Sequence, residues 1–341
     1  QLTLAPLRDC RLYPEYAIGL HAWWLDQVRQ TDPDLAAALH DGAEKPFTLS
    51  RLSGLPFSQP LSLSASQTYA WSLTALNRPV CEWLAGWLSH RPERLELRGA
   101  PLQILDISIV HPPTTYAALL ENAPSAVPSA AVLSFCSPTS FRHRGHHLPL
   151  PVPKTVFQSY LRRWNDFSGD AVDSEDFLDW VDEFVVITQH QLESVKTTAG
   201  KRGSVTGFLG SVEFALLAQG QRDTDYAKLF GALVQLAPYC GTGHKTTFGL
   251  GQTRPGRLTP AAPPSVENLV AQRITDLTDR FLAIKKRQGG SRAVQSAETW
   301  ATILARRELG ESLQVIAADL EIPYETVKTY AKLARRALQP E

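Results

Sequence analysis

Four glycines in one short run constrain this chain more than any other feature. From Cys240 to Arg254 the sequence reads Cys-Gly-Thr-Gly-His-Lys-Thr-Thr-Phe-Gly-Leu-Gly-Gln-Thr-Arg, so Gly241, Gly243, Gly249 and Gly251 bracket His244 and Lys245. Glycine reaches backbone conformations closed to other residues and lets a second chain or a phosphate come close. Two phosphate-binding motifs are excluded by inspection. A dinucleotide fingerprint needs a third glycine where Thr246 stands, and a P-loop needs glycine directly before lysine, where His244 stands. Both also need a strand before the loop and a helix after it. Here Tyr226, Leu229, Phe230, Leu233, Val234 and Ala237 repeat at helical spacing before the run, and residues 247–253 after it are Gly-broken and extended. The chain must accommodate a helix, a glycine-rich loop with a cationic tip and a strand, in that order.

Two stretches upstream share one element order. Residues 2–7 read as a strand and 16–30 as a helix. A short second helix follows, then strands over 47–52 and 68–76, a helix, and a strand over 104–110. That is the β-α-β-β-α-β order. Its helices are punctuated by Asp32 before Pro33 and by Asn77 before Pro79. The second stretch has strand 131–135, helix 152–167, strands 184–195 and 205–217, helix 223–237 and the glycine-rich strand. Residues 123–130 are small, uncharged and proline-bearing, which suits a linker. The expected fold class is α+β: two tandem ferredoxin-like domains, 1–122 and 131–255, followed by an all-α domain over 265–341.

That third module follows a proline-rich span at 255–264. Residues 310–330 resemble a helix-turn-helix of the sigma-factor or response-regulator type, with Ile316, Ala317, Leu320, Ile322 and Val327 where the two helices pack. Glu321 stands where that turn usually carries glycine in a left-handed conformation.

Bulk properties narrow the function. The 341 residues carry no net charge, so basic residues must gather in patches before a polyanion is argued. Cys10, Cys81, Cys136 and Cys240 lack metal or redox spacing and read as reduced, buried small residues. No apolar run approaches membrane-spanning length, and no secretory leader is visible, so a cytoplasmic protein without membrane contact is expected. Methionine is absent even at position 1, which reads as a trimmed start. Asp173, Asp176, Asp179 and Asp182 recur every three residues, the pattern of a solvated acidic helix face rather than a magnesium site. Three histidines within 143–147 are flanked by Arg142 and Arg144, which would repel a cation, so a basic loop is expected there and no metal is assigned.

The order helix, glycine-rich loop, strand with His244 and Lys245 at its tip, preceded by the doubled β-α-β-β-α-β pattern, resembles the CRISPR repeat-processing endoribonucleases of the repeat-associated RNA-binding (RAMP) superfamily. The resemblance implies metal-independent cleavage of CRISPR precursor RNA within each repeat, with no cofactor and a 2′,3′-cyclic phosphate product. It places the catalytic histidine ahead of a Lys-Pro-Phe-Thr-like strand, which makes His40 in Leu39-His-Asp-Gly-Ala-Glu-Lys-Pro-Phe-Thr-Leu-Ser50 the general base. An imidazole suits the removal of a ribose 2′-proton near neutrality. Lys45 would stabilise the phosphorane, and His21 is a second candidate as acid or phosphate contact, because Trp23, Trp24 and Leu25 stand where the family often has tyrosine. Expected RNA contacts are Gly241, Gly243, His244, Lys245, Gly249, Gly251 and Arg254 in the loop, Arg142 and Arg144 in the basic loop, and Lys196, Lys201 and Arg202 at a hairpin tip. Expected partners are repeat RNA, other subunits of an interference complex, and DNA through the C-terminal module. Two other readings stay open: a non-catalytic repeat-RNA-binding subunit and a helix-turn-helix DNA-binding regulator.

Overall fold

The computed structural model describes residues 1–57, 61–121, 130–198, 204–257, 266–284 and 291–338. The chain divides into two units, 1–258 and 259–341.

Unit one opens with β1 (Leu2–Pro6), β2 (Cys10–Arg11), α1 (Tyr16–Thr31), α2 (Pro33–Asp41), β3 (Phe47–Leu49), β4 (Ser62–Leu63), β5 (Tyr69–Trp71), β6 (Leu73–Ala75), α3 (Arg78–Ser89), β7 (Arg94–Leu97) and β8 (Ala100–Ile107). The caps fall where the sequence put them: Asp32 accepts from the Leu35 amide and Asn77 from the Val80 amide, satisfying donors a helix start leaves orphaned. β5, β1, β8 and β7 form one antiparallel sheet, while β3 pairs with β6. The strand expected over 68–76 is broken at Ser72, because the Ser50 side chain accepts the Ser72 amide. The Ser50 amide in turn donates to the Ser72 carbonyl, so β3 still lies beside this segment. Trp24, Trp71, Phe47 and Leu20 bury a core here, each at 1% exposure or less.

The same unit continues through α4 (Tyr116–Glu121), β9 (Ala130–Thr139), β10 (Phe141–His143), β11 (His146–Leu148), α5 (Pro153–Phe167), α6 (Ser174–Phe184), β12 (Val185–Thr198), β13 (Ser204–Leu216), α7 (Thr224–Cys240) and β14 (Thr253–Pro255). The sheet order β12-β13-β9-β14 is that of a ferredoxin-like sheet, with the first and third strands central. Phe157, Tyr160, Trp164, Phe214 and Phe230 fill a second core. α4 joins it, Tyr116 meeting Trp164 edge-on at 5.2 Å between ring centroids. The expected linker at 123–130 lies almost wholly outside the described residues.

Several local expectations change. Residues 141–148 form a hairpin rather than an open loop: Phe141 is buried, and Arg144-Gly145 take φ of 47° and 84°, a type I′ turn matched to strand twist. Past Lys245 the chain curls into a 3₁₀ turn at Thr246–Phe248, because the Lys245 carbonyl accepts from both Phe248 and Leu250. Cys240 alone of the four cysteines is buried, and Cys81 is exposed. Asp173 caps α6 and Asp179 pairs with Lys154 at 2.7 Å, so these aspartates are shared between a cap and an ion pair.

Unit two contains α8 (Val266–Ile284), α9 (Ser291–Glu308), α10 (Leu313–Asp319) and α11 (Tyr324–Ala337). Ile316, Ala317 and Val327 are buried together, with Leu320 and Ile322 packed on them. Glu321 is left-handed at φ 53°, a conformation uncommon for a residue other than glycine. No described helix is long and apolar enough to cross a membrane.

Candidate functional site

The site lies within unit one, where the glycine-rich loop meets α1 and β3, with α2 packed on α1. His40, in the last turn of α2, is exposed, and its Nδ1 lies 2.9 Å from Asp41 Oδ1. The Lys45 ammonium donates to the His40 carbonyl at 2.6 Å, capping the helix end and holding the lysine beside the histidine. His40 and Asp41 line a cleft of about 840 Å³ that also takes in Tyr13, Trp23, Arg29 and Arg98. His21, on α1, rests against Phe47 at 5.9 Å and against Phe248 of the loop at 4.4 Å. Burial, with the charges of Lys45 and His40 adding to it, lowers the His21 imidazole to about 4. His21 is therefore neutral at neutral pH: it can donate or accept a hydrogen bond but is not a charged acid.

The loop is held from below. Thr242 shares hydrogen bonds with Tyr160 and Thr253, both 2.6 Å. The Gly241 amide donates to Ala237, Thr242 to Gly251, His244 to Ser140 and Gly251 to Pro138, all backbone carbonyls, while the Gly243 amide donates to Ser159 Oγ at 2.8 Å. These amides are consumed inside the protein, so Gly241, Gly243 and Gly251 do not present open phosphate donors as expected. Their role is close approach. A Cβ on Gly243 would stand 2.4 Å from the Ser140 carbonyl oxygen, and one on Gly251 1.9 Å from that of Thr242. Gly249 packs on Arg51. The halves are tied further by Thr74 Oγ1 donating to the Tyr239 carbonyl at 2.6 Å and by Arg162 pairing with Glu44 at 2.9 Å.

His244 also turns inward. Its Nδ1 donates to the Ser140 carbonyl at 2.8 Å, its ring stacks on His147 at 5.0 Å, and its Nε2 is shielded from solvent. Burial outweighs the favourable Ser140 bond, and His147, Lys245 and Arg142 add to it, lowering His244 to about 4. It is a neutral strut rather than a cationic phosphate ligand. Lys245 is left-handed at φ 60°, and its ammonium is pushed down by burial and by Arg142. Arg142 and Arg144 are exposed on the β10–β11 hairpin, so that hairpin and Lys245 form one basic surface. Arg254 is exposed on β14, where its charge acts on His111. Lys196 lies on β12, while Lys201 and Arg202 fall outside the described residues. Non-glycine residues with left-handed backbone are uncommon and gather at functional sites. Among the described residues they are Arg144, Lys245 and Glu321.

Sequence reasoning missed Phe248, Arg51 and Arg163. Arg163 carried a signal: with Val156 and Tyr160 it falls on the buried stripe of α5, where a cation is out of place.

The two half-buried histidines predict acid sensitivity. An unfolded imidazole titrates near 6.5 while His21 and His244 titrate near 4, so below about pH 6.5 the unfolded chain binds more protons. Stability present above that pH is lost as pH falls towards 4, by at most about 1.4 kcal/mol per pH unit per histidine. Thermal unfolding midpoints should drop between about pH 7 and about pH 5; a flat profile would contradict the burial of these rings.

Residues 133–253, from β9 through the loop into β14, match the family model for the CRISPR-associated endoribonuclease Cas6. A Cas6 endoribonuclease of Mycobacterium tuberculosis is 24% identical over 213 residues, covering 60% of this chain and 64% of its own length. One from Streptococcus thermophilus is 29% identical over 119 residues, covering 34% of this chain and 46% of its own. The chain thus spans under two thirds of the length of these curated relatives. Among solved structures, a Cas6 product complex superposes with a TM-score of 0.63 at 26% identity, covering 75% of this chain and 98% of the other. A Cas6 substrate-mimic complex gives 0.55 at 25% over the same shares.

Proposed function

We propose that this chain, which is related in sequence and fold to the CRISPR repeat-processing endoribonucleases of the RAMP type, cuts CRISPR precursor RNA within its repeats. The observation that carries the reading is that His21, packed on Phe248 of the glycine-rich loop, lies within electrostatic reach of His40 and of the Lys45 held at its carbonyl. His40 takes the proton from a ribose 2′-hydroxyl, whose oxygen attacks the adjacent phosphorus as the P–O5′ bond breaks; the departing 5′-oxygen takes up a proton from water, leaving a 2′,3′-cyclic phosphate and a 5′-hydroxyl end. The Lys45 ammonium stabilises charge gathering on the phosphorane oxygens. His21 serves as a neutral hydrogen-bonding group. Lys245, Arg142 and Arg144 bind phosphates outside the scissile bond. Repeat hairpins are selected by shape and flanking single strand, because the A-form major groove is too narrow for side chains to read. No step needs a metal.

In this reading unit one is a tandem of ferredoxin-like domains, and the protein works in the cytoplasm and keeps its product within an interference complex. Unit two is a helix-turn-helix module, supported by the left-handed Glu321 and by the exposed Lys328, Lys332, Arg335 and Arg336 on α11. Its role in this reading is a nucleic-acid contact or docking through these cations, duplex DNA phosphates among the candidates, rather than sequence-specific reading.

One experiment tests these assignments together. Full-length protein and a chain ending near residue 257 are mixed with array-derived repeat RNA in EDTA and, separately, with duplex DNA. Both should cut the RNA, a 2′-deoxy substitution at the cleavage nucleotide should block the cut, and only the full chain should retain DNA. Binding without cutting would favour the non-catalytic subunit. Cutting restored only by magnesium would remove the metal-independent mechanism, and equal DNA retention would remove the tail's role.

A further inference from the structure

Most amides of the glycine-rich loop donate to partners within the protein, so the positive field of an anion-binding loop must come from another source. Two guanidinium groups lie against it. Arg163 of α5, 5% exposed, donates to the Gly243 carbonyl at 3.2 Å and to Thr246 Oγ1 at 3.5 Å, and its other nitrogen reaches the Ser159 carbonyl at 3.0 Å. Arg51, following β3 and 6% exposed, packs against Gly249, lies over the rings of Tyr16 and Phe57, and donates to Thr197 Oγ1 at 3.1 Å. Among the described residues no carboxylate forms an ion pair with either one. Glu44 is held by Arg162 at 2.9 Å, and together with Asp166 it acts on Arg163 only at longer range, without a direct ion pair. Cys240 supplies no counter-charge, since burial pushes its thiol up to about 12.

A buried charge without a paired ion is costly, and even buried ion pairs can often be replaced by well-packed apolar residues without loss of stability. Two of them flanking one loop therefore need a reason beyond packing. We infer that Arg163 and Arg51 charge the glycine-rich loop from inside, and that the phosphodiester backbone of bound RNA is their counter-ion. They are positioning residues: neither reaches the surface, and each acts on RNA through the loop. The inference rests on the RNA-binding reading of this site. It adds that the loop's attraction for RNA originates beneath it as well as in the half-buried Lys245 and the exposed Arg142.

The test separates charge from shape. Arg163→Lys keeps the cation and loses the planar fork, whereas Arg163→Met loses the cation; Arg51→Lys and Arg51→Met do the same on the other flank. Affinity for repeat RNA and for poly(U) is measured across a sodium chloride series, with thermal unfolding as the folding control. The methionine variants should lower the log-log salt slope by up to about one phosphate, roughly 0.7–0.9, and the lysine variants should keep it. Lysine and methionine variants that weaken binding equally, with unchanged slopes, would make both arginines struts and overturn the inference. If one methionine variant fails to fold, the pair on the other flank decides. Wild-type protein that binds poly(U) as well as repeat RNA would sink the CRISPR reading, while the poly(U) slopes would still decide the origin of the charge.

Discussion

His40→Ala should lose repeat-RNA cleavage by about 10²–10⁴-fold, the usual contribution of a general base, while keeping its fold and RNA affinity. The side chain is 78% exposed and its one described contact is with the adjacent Asp41, so removing it opens no cavity and leaves no buried partner unpaired. Thermal unfolding of the variant should match the parent. His21→Ala differs, because it removes a ring packed between Phe47 and Phe248 and should lower stability as well as activity. Single-turnover cleavage with saturating protein separates these effects from binding. Full activity in His40→Ala would move the chemistry away from the α2 terminus, and lost binding would make His40 an RNA contact.

What the sequence shows most clearly is local. Asp32 and Asn77 announce their helices because a cap acts within a few residues, and Leu229, Phe230, Leu233 and Ala237 report the buried face of α7 by period alone. The loop glycines are visible, but their purpose is not. Whether the Gly243 amide faces solvent or Ser159 depends on how α5 docks, and no pattern within the loop encodes that. Ser72 interrupts its strand for a similar reason, since the competing acceptor is the Ser50 side chain just past β3. Phe248 meets His21 through the packing of one half of unit one against the other, and that long-range contact makes the candidate site continuous. Arg163 lies between these cases: its place on an apolar stripe could have been read, but its partner Gly243 could not.

Gly251→Ala should be among the most damaging substitutions in the loop. At φ 69° an L-residue costs about 1–2 kcal/mol, and the added Cβ would fall 1.9 Å from the Thr242 carbonyl oxygen. That neighbour is backbone and cannot rotate away. It also cannot shift freely, because the Thr242 amide donates to the Gly251 carbonyl at 2.7 Å and its hydroxyl is shared with Tyr160 and Thr253. Relief of the clash therefore breaks a buried network, adding about 1–3 kcal/mol of overpacking strain for a total of roughly 2–5 kcal/mol. Gly169→Ala is the control, with a left-handed φ of 79° but nothing within 4 Å of the new Cβ, so only the conformational cost of about 1–2 kcal/mol applies. Urea unfolding of the two variants should differ clearly in midpoint with unchanged slope. Equal losses would mean that backbone conformation alone selects glycine at position 251, and that the closure of the loop on Thr242 contributes little to its stability.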